Sequence, residues 1–128
     1  MTVVLDAGAI SALATDRARV QALLDRGLWP PQVPAPVLTE SLTGDHRRDI
    51  LANRLLRLCQ VREVDEPLAR TAARLRFRTG RAATISAVDA LVVALALARD
   101  AVIIVTGDVR DVADLVDASG APIAIAPA

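Results

Sequence analysis

Lysine is missing from this chain: all 15 basic residues among its 128 are arginine. Any mechanism that needs a catalytic or phosphate-binding lysine is therefore excluded. Tyrosine is absent too, and Trp29 and Phe77 are the only aromatics. With no row of aromatic rings, the sequence shows no platform of the kind that stacks single-stranded bases. Cys59 is the only cysteine, which excludes an internal disulfide and a thiolate-rich zinc site. It sits in the apolar stretch Leu55-Leu56-Arg57-Leu58-Cys59 and reads as a buried, inert thiol. His46 is equally alone and reads as a surface residue. Net charge is zero, so the bulk positive field of a non-specific nucleic-acid binder is lacking. The longest apolar run, Ala90 to Ala98, is too short to span a bilayer. The first residues carry no basic start and already include Asp6, unlike a signal peptide. A soluble, cytoplasmic protein is expected.

What is present is aliphatic. Hydrophobic residues make up 53% of the chain, mostly Ala, Leu and Val, and the length suits one domain over residues 1–128. Val3-Val4-Leu5 reads as a buried strand, followed by helices over Ala7 to Ala14 and Arg17 to Arg26, the latter capped by Thr15 or Asp16. Four prolines between residues 30 and 36 leave room for a strand at Gln32 to Pro34. Pro36 opens the next helix, which carries Val37, Leu38 and Glu40 and ends near Gly44. Asp45 to Cys59 has helical periodicity, with Ile50, Leu51, Leu55 and Leu58 as its apolar face. Further strands are expected at Gln60–Val64, Ala101–Val105 and Pro122–Ala126, and further helices at Glu66–Thr79, Ala87–Arg99 and Val109–Ala118. Alternating strands and helices imply an α/β fold: a central, largely parallel sheet of four to five strands covered on both faces.

Carboxylates recur where this fold would gather them. Asp6 ends the first strand, and Asp108 follows the most hydrophobic strand through Thr106-Gly107. In open parallel sheets, ligands bind beyond the carboxyl ends of strands. Each acid also has an ordinary structural use. Asp6 can cap the helix it precedes. Glu40 can face a helix dipole, although Val37, Leu38 and Leu42 suggest a helix buried on most sides. Ser86-Ala87-Val88-Asp89 resembles a capping box, yet the helix it opens is apolar all round and should be central. Asp111 is an alternative or companion to Asp108, whereas Asp114 and Asp117 fit a solvated helix face. Buried charges are expensive unless paired or bound to metal. Clustered carboxylates without His or Cys suit Mg²⁺ or Mn²⁺, which take oxygen ligands and keep several waters. Such an ion can activate water and clamp a phosphate, which points to phosphodiester hydrolysis. Among the arginines leading to Asp89, Arg81 lies in a loop and is the candidate to touch substrate phosphate. Arg74, Arg76 and Arg78 read as a solvated helix end.

Taken in order, Asp6 after its strand, Val37-Leu38-Thr39-Glu40, Asp89-Ala90-Leu91-Val92-Val93-Ala94 and Thr106-Gly107-Asp108-Val109-Arg110-Asp111 resemble the PIN-domain family. More narrowly, they resemble the VapC toxins of VapBC toxin–antitoxin pairs. The resemblance covers almost the whole chain. It implies a ribonuclease that uses Mg²⁺ or Mn²⁺ in a quartet formed by Asp6, Glu40, Asp89 and Asp108, with Thr106 orienting the site. It also implies products with a 5′-phosphate and a 3′-hydroxyl, and an RNA substrate such as transfer or ribosomal RNA. The expected partners are a small VapB-like antitoxin lying over the acidic site and a second copy in a homodimer. Two departures stand out. Many relatives carry Ser or Thr soon after the first acid, but here Ala7-Gly8-Ala9 precede Ser11. The family's fourth acid is its least regular, which keeps Asp111 beside Asp108.

Rival readings are weaker. Receiver domains and haloacid-dehalogenase phosphatases also end a first strand in Asp, but both rely on a lysine. A nucleotide-binding protein would need a glycine-rich loop that Asp6-Ala7-Gly8-Ala9 does not make. A catalytically silent PIN-like module that binds RNA or protein is the remaining alternative, and the intact acidic set argues against it.

Overall fold

The computed structural model describes residues 1–128. Five short strands form one parallel sheet: β1 (Val3–Leu5), β2 (Gln32–Pro34), β3 (Gln60–Arg62), β4 (Ile103–Thr106) and β5 (Ala124–Pro127). The spatial order is β3-β2-β1-β4-β5. The chain thus steps outward from β1 to β3, then returns to add β4 on the other side of β1. That reversal opens a crevice beyond the carboxyl ends of β1 and β4, the usual ligand position in such sheets. The register pairs Val3 with Ile103, Val4 with Ile104 and Leu5 with Val105. Asp6 and Thr106 therefore emerge side by side.

Seven helices cover the sheet: α1 (Ala7–Leu13), α2 (Arg17–Asp25), α3 (Leu38–Ser41), α4 (Ile50–Leu56), α5 (Glu66–Arg78), α6 (Ala87–Ala98) and α7 (Val109–Ser119). A short 3₁₀ turn at Ala35–Val37 leads into α3. On one side, α1 lies on β1 and β4 and gathers α2, α3 and α4. On the other, α6 lies on β1, β2 and β4, flanked by α5 and α7. The all-round apolar sequence of α6 is explained by this central place: six of its residues, Ala90 and Val92 to Ala96, are buried. Aliphatic side chains carry the core, in which Leu5, Ile10, Leu28, Ile85, Ile104 and Leu115 are the largest fully buried ones. No helix is long and apolar enough to cross a membrane.

The segment Asp45–Cys59 departs from its periodicity. Only Ile50–Leu56 is helical, and Leu55 and Leu56 are its buried residues, while Ile50, Leu51 and Leu58 remain exposed. The cause is Asp49. Its buried carboxylate accepts from the Thr43 amide (2.8 Å), the Thr43 hydroxyl (2.9 Å) and the Gly44 amide (2.9 Å). These bonds close a loop where a continuous helix would run, as Asp side chains do when local backbone donors compete with the helix. The Thr43 amide bond above all holds the Asp49 pKa below the usual carboxylate range. Cys59 lies past α4 in the bend before β3, and burial pushes its pKa up to about 11, so the thiol is inert at neutral pH.

Candidate active site

The site is assembled by helix starts. Asp6 caps α1, its Oδ1 accepting from the Ala9 amide at 2.9 Å. The same carboxylate reaches across to β4, where Oδ2 accepts from the Thr106 hydroxyl at 2.5 Å and the Gly107 amide donates at 3.1 Å. With only 5% of its surface exposed, Asp6 is a fully bonded clamp between the β1–α1 and β4–α7 turns. Thr106 is fully buried and extends the chain of bonds, because its Oγ1 accepts from the Asp108 amide at 2.8 Å. Asp108 in turn caps α7, accepting from the Asp111 amide at 3.2 Å.

The clamp requires bare backbone. A Cβ on Gly8 would stand 2.6 Å from the Gly107 Cα, and one on Gly107 would stand 3.1 Å from the Gly8 Cα. Gly107 does not take a left-handed backbone angle, so what it provides is close approach.

Asp89 enters from the opposite layer. It sits in the first turn of α6, where the Ser86 hydroxyl accepts from its amide at 3.0 Å. Its pKa is raised to about 6, first by burial and then by the negative charges of Asp108, Asp6 and Glu40, against a lowering bond from Ser86. Asp108, Asp6 and Glu40 are thus each close enough to act on Asp89. The tightest group is slightly different: one oxygen each from Asp89, Asp108 and Asp111 can lie within 4.8 Å of the others. Trans ligands on an octahedral Mg²⁺ lie about 4.2 Å apart, so three oxygens this near need little movement to share one ion. The donor set is all oxygen, which fits a hard cation.

Comparison with known proteins agrees with this fold. The family profile of the PIN domain matches residues 3–116. The chain belongs to the PIN domain family. No curated protein sequence matches it. Among solved structures, it is similar to a chain of the DNA-bound VapBC complex from Salmonella typhimurium (14% identity, 99% of this chain and 98% of that one, TM-score 0.74). It is similar to a chain of the DNA-bound VapBC complex from Rickettsia felis (14% identity, 100% and 99% covered, TM-score 0.72). A chain of FitAcB from Neisseria gonorrhoeae aligns at 20% identity over 97% and 96% of the two chains, with a TM-score of 0.66.

Two acids of this PIN domain stand differently from the sequence expectation. Glu40 is exposed on the short α3 rather than buried among apolar neighbours, and it faces the cluster as a charge. Asp114 is not merely a solvated helix residue. Arg81 lies between it and Asp111, donating Nη2 to Asp111 at 2.6 Å and Nη1 to Asp114. These two carboxylates raise the pKa of Arg81 further. The signal for this arrangement was present as Asp108, Asp111 and Asp114 at intervals of three, which line one side of a helix start. Arg81 offsets negative charge at the rim of the cluster. Arg81→Gln is expected to lower the metal-free melting temperature through added repulsion, and Mn²⁺ should recover more of it than in the wild type. Melts in EDTA and in Mn²⁺ check this.

Proposed function

We propose that this PIN domain is a metal-dependent endoribonuclease and the toxin half of a VapBC-type pair. The observation that carries the reading is the convergence of Asp89, Asp108 and Asp111 oxygens within 4.8 Å, beside Asp6, at the crevice where the sheet reverses direction. Asp89, Asp108 and Asp111 offer the direct ligands. Asp6 holds the two turns in register and, with Glu40, supplies negative charge that favours a cation. A bound Mg²⁺ or Mn²⁺ would supply an activated water and neutralise the phosphate under attack. Thr106 fixes Asp6 and the Asp108 backbone relative to each other through its two hydrogen bonds. Arg81, already at the rim, is the cation assigned to substrate phosphate.

The substrate is RNA, with transfer and ribosomal RNA loops as fitting targets, cut to a 5′-phosphate and a 3′-hydroxyl. The similar folds come from VapBC complexes and from FitAcB, which supports a small antitoxin as partner. In this reading the antitoxin covers the acidic site, offering it a basic side chain. A homodimer in the cytoplasm completes the proposal.

The test is cleavage of total cellular RNA by purified protein in Mg²⁺ or Mn²⁺, with sequencing of new 5′ ends. Asp89→Asn is the preferred control. Asp6→Asn would aim an amide N–H at donors that now share a carboxylate, and would confuse folding with chemistry. Cuts at few sites should appear with metal and vanish in EDTA. Asp89→Asn should lose more than the roughly 10–100-fold that removing a supporting group costs. Absence of cuts together with Mn²⁺ binding would favour a silent RNA- or protein-binding module.

A further inference from the structure

Helix α5 carries a feature that the acidic site does not use. Its buried side is Leu68, Ala72 and Leu75. On the other side, Phe77 is 81% exposed, the most exposed large apolar residue in the chain beside the N-terminal Met1. A ring left in water adds nothing to the core, so its face is open to a partner. Arg74 and Arg78 are exposed beside it, and residues 74, 77 and 78 share one helix face by their spacing of three and four. Neither arginine forms an ion pair; Arg74 bonds only the Thr71 hydroxyl, at 3.1 Å.

The stripe has a direction. After the helix stop at Gly80, Arg81 is fastened to Asp111, itself within 4.8 Å of Asp89 and Asp108. Arg76, from the inner side of the helix, holds the intervening loop by donating to Ile85 O at 3.0 Å and Ala82 O at 2.8 Å. The cation–ring–cation face thus ends at Arg78, three residues before Arg81, which bonds Asp111 of the acidic cluster. From Arg74 to Arg78 it rises about 6 Å along the helix.

We propose that Phe77, flanked by Arg74 and Arg78, is a stacking platform that receives an unpaired base of the single-stranded RNA bound at the acidic site, while the arginines meet the adjoining phosphates. The chemistry is complementary: a base offers a π-face to the ring, and the phosphodiester chain matches two unpaired guanidinium groups. A purely apolar partner would match the ring but not its charged flanks. Phe77 is thus the aromatic contact that the composition concealed, a lone ring doing the work usually shared by several. The proposal rests on the nuclease reading, and it assigns Phe77 to positioning, not to chemistry.

The test is anisotropy of a short fluorescein-labelled single-stranded RNA of mixed sequence, in EDTA so that nothing is cut, as a function of salt. Phe77→Ala should weaken binding by about 5- to 150-fold, the effect of losing one stacked base. Phe77→Trp should bind at least as tightly as wild type, with its indole fluorescence quenched by RNA. Phe77→Leu, apolar but without a π-face, should bind like the alanine variant. Arg78→Gln should instead reduce the salt slope by about 0.7, whereas Phe77→Ala leaves it unchanged. Exposure of Phe77 makes misfolding of these variants a minor concern, and circular dichroism checks it. If wild type binds and cuts RNA while Phe77→Ala does both equally well, the platform is refuted and the nuclease stands. Leucine that restores full binding refutes stacking. If Phe77→Ala splits a homodimer by light scattering without changing RNA binding, the ring is a dimer contact and the proposal fails. A wild type that neither binds nor cuts overturns both readings.

Discussion

Asp89→Asn is expected to melt higher than the wild type in EDTA at pH 7.5, by at least about 4 °C, and to lose most of its stabilisation by Mn²⁺. In the metal-free fold, Asp89 ionises at about 6 instead of 3.8, because it is half-buried and faces Asp108, Asp6 and Glu40. That shift makes the ionised form cost up to about 3 kcal/mol in the folded state at neutral pH. Asparagine keeps the shape and removes the charge. The sign follows from proton counting. Below pH 3.8 Asp89 is protonated in folded and unfolded chains alike, and its titration costs the fold nothing. As the pH rises from there, the unfolded chain ionises first and the folded state loses stability, until the penalty levels off above about 6. The gap between mutant and wild type should therefore be widest at neutral pH and close near pH 4. Mn²⁺ reverses the trend, since metal competes with the proton and binds better as the pH climbs through about 6. If Asp89 served only the helix start, the mutant would melt lower and its response to metal would match the wild type.

Gly8→Ala is expected to lower the melting temperature by about 10 °C and to abolish metal-dependent activity. Helix propensity alone predicts the opposite, because Gly8 lies within α1 and alanine is favoured there by up to about 1 kcal/mol. Contact decides the outcome. The new Cβ would meet the Gly107 Cα at 2.6 Å and the Gly107 amide nitrogen at 2.9 Å, and both are backbone atoms that cannot swing aside as a side chain would. The turns would have to part, stretching the Gly107 bond to Asp6 and disturbing the Thr106 link to Asp108. Overpacking plus a loosened buried carboxylate comes to roughly 3 kcal/mol or more. Gly107→Ala should be milder, because its Cβ would meet Gly8 at 3.1 Å. Thermal melts of the two variants check the order. Equal or raised stability in Gly8→Ala would mean that the turns can separate without loss.

Much of the fold could be read from the chain because its elements are locally consistent. Val3-Val4-Leu5 and Ile103-Ile104-Val105 are β-branched runs that only a buried strand explains, and α6 is too apolar to lie anywhere but the centre. The placing of Asp6 and Asp108 beyond strand ends followed from the same pattern. The features that escaped depend on contacts between distant residues. Asp49 shortens a periodic helix through bonds to Thr43 and Gly44 that no periodicity reveals. Gly8 shows its importance only when Gly107 is placed against it, 99 residues later in the chain. Arg81 was legible as a loop cation near the acids, but its partners Asp111 and Asp114 required the docking of α7 on α5 and α6. Capping and a place at the crevice also turn out to be compatible. Asp6 and Asp108 do cap helices, and capping is what aims them at the crevice. Phe77 escaped because composition counts rings without saying which are exposed.

The most direct test of the account is to count protein-bound Mn²⁺ by electron paramagnetic resonance while following RNA cleavage in the same samples, from pH 7.5 down to pH 5. The account predicts that cleavage rises in proportion to bound Mn²⁺ and that both fall together as the pH drops below about 6, where Asp89 takes up its proton. Cleavage that persists in EDTA, or full Mn²⁺ occupancy retained by Asp89→Asn, would contradict it.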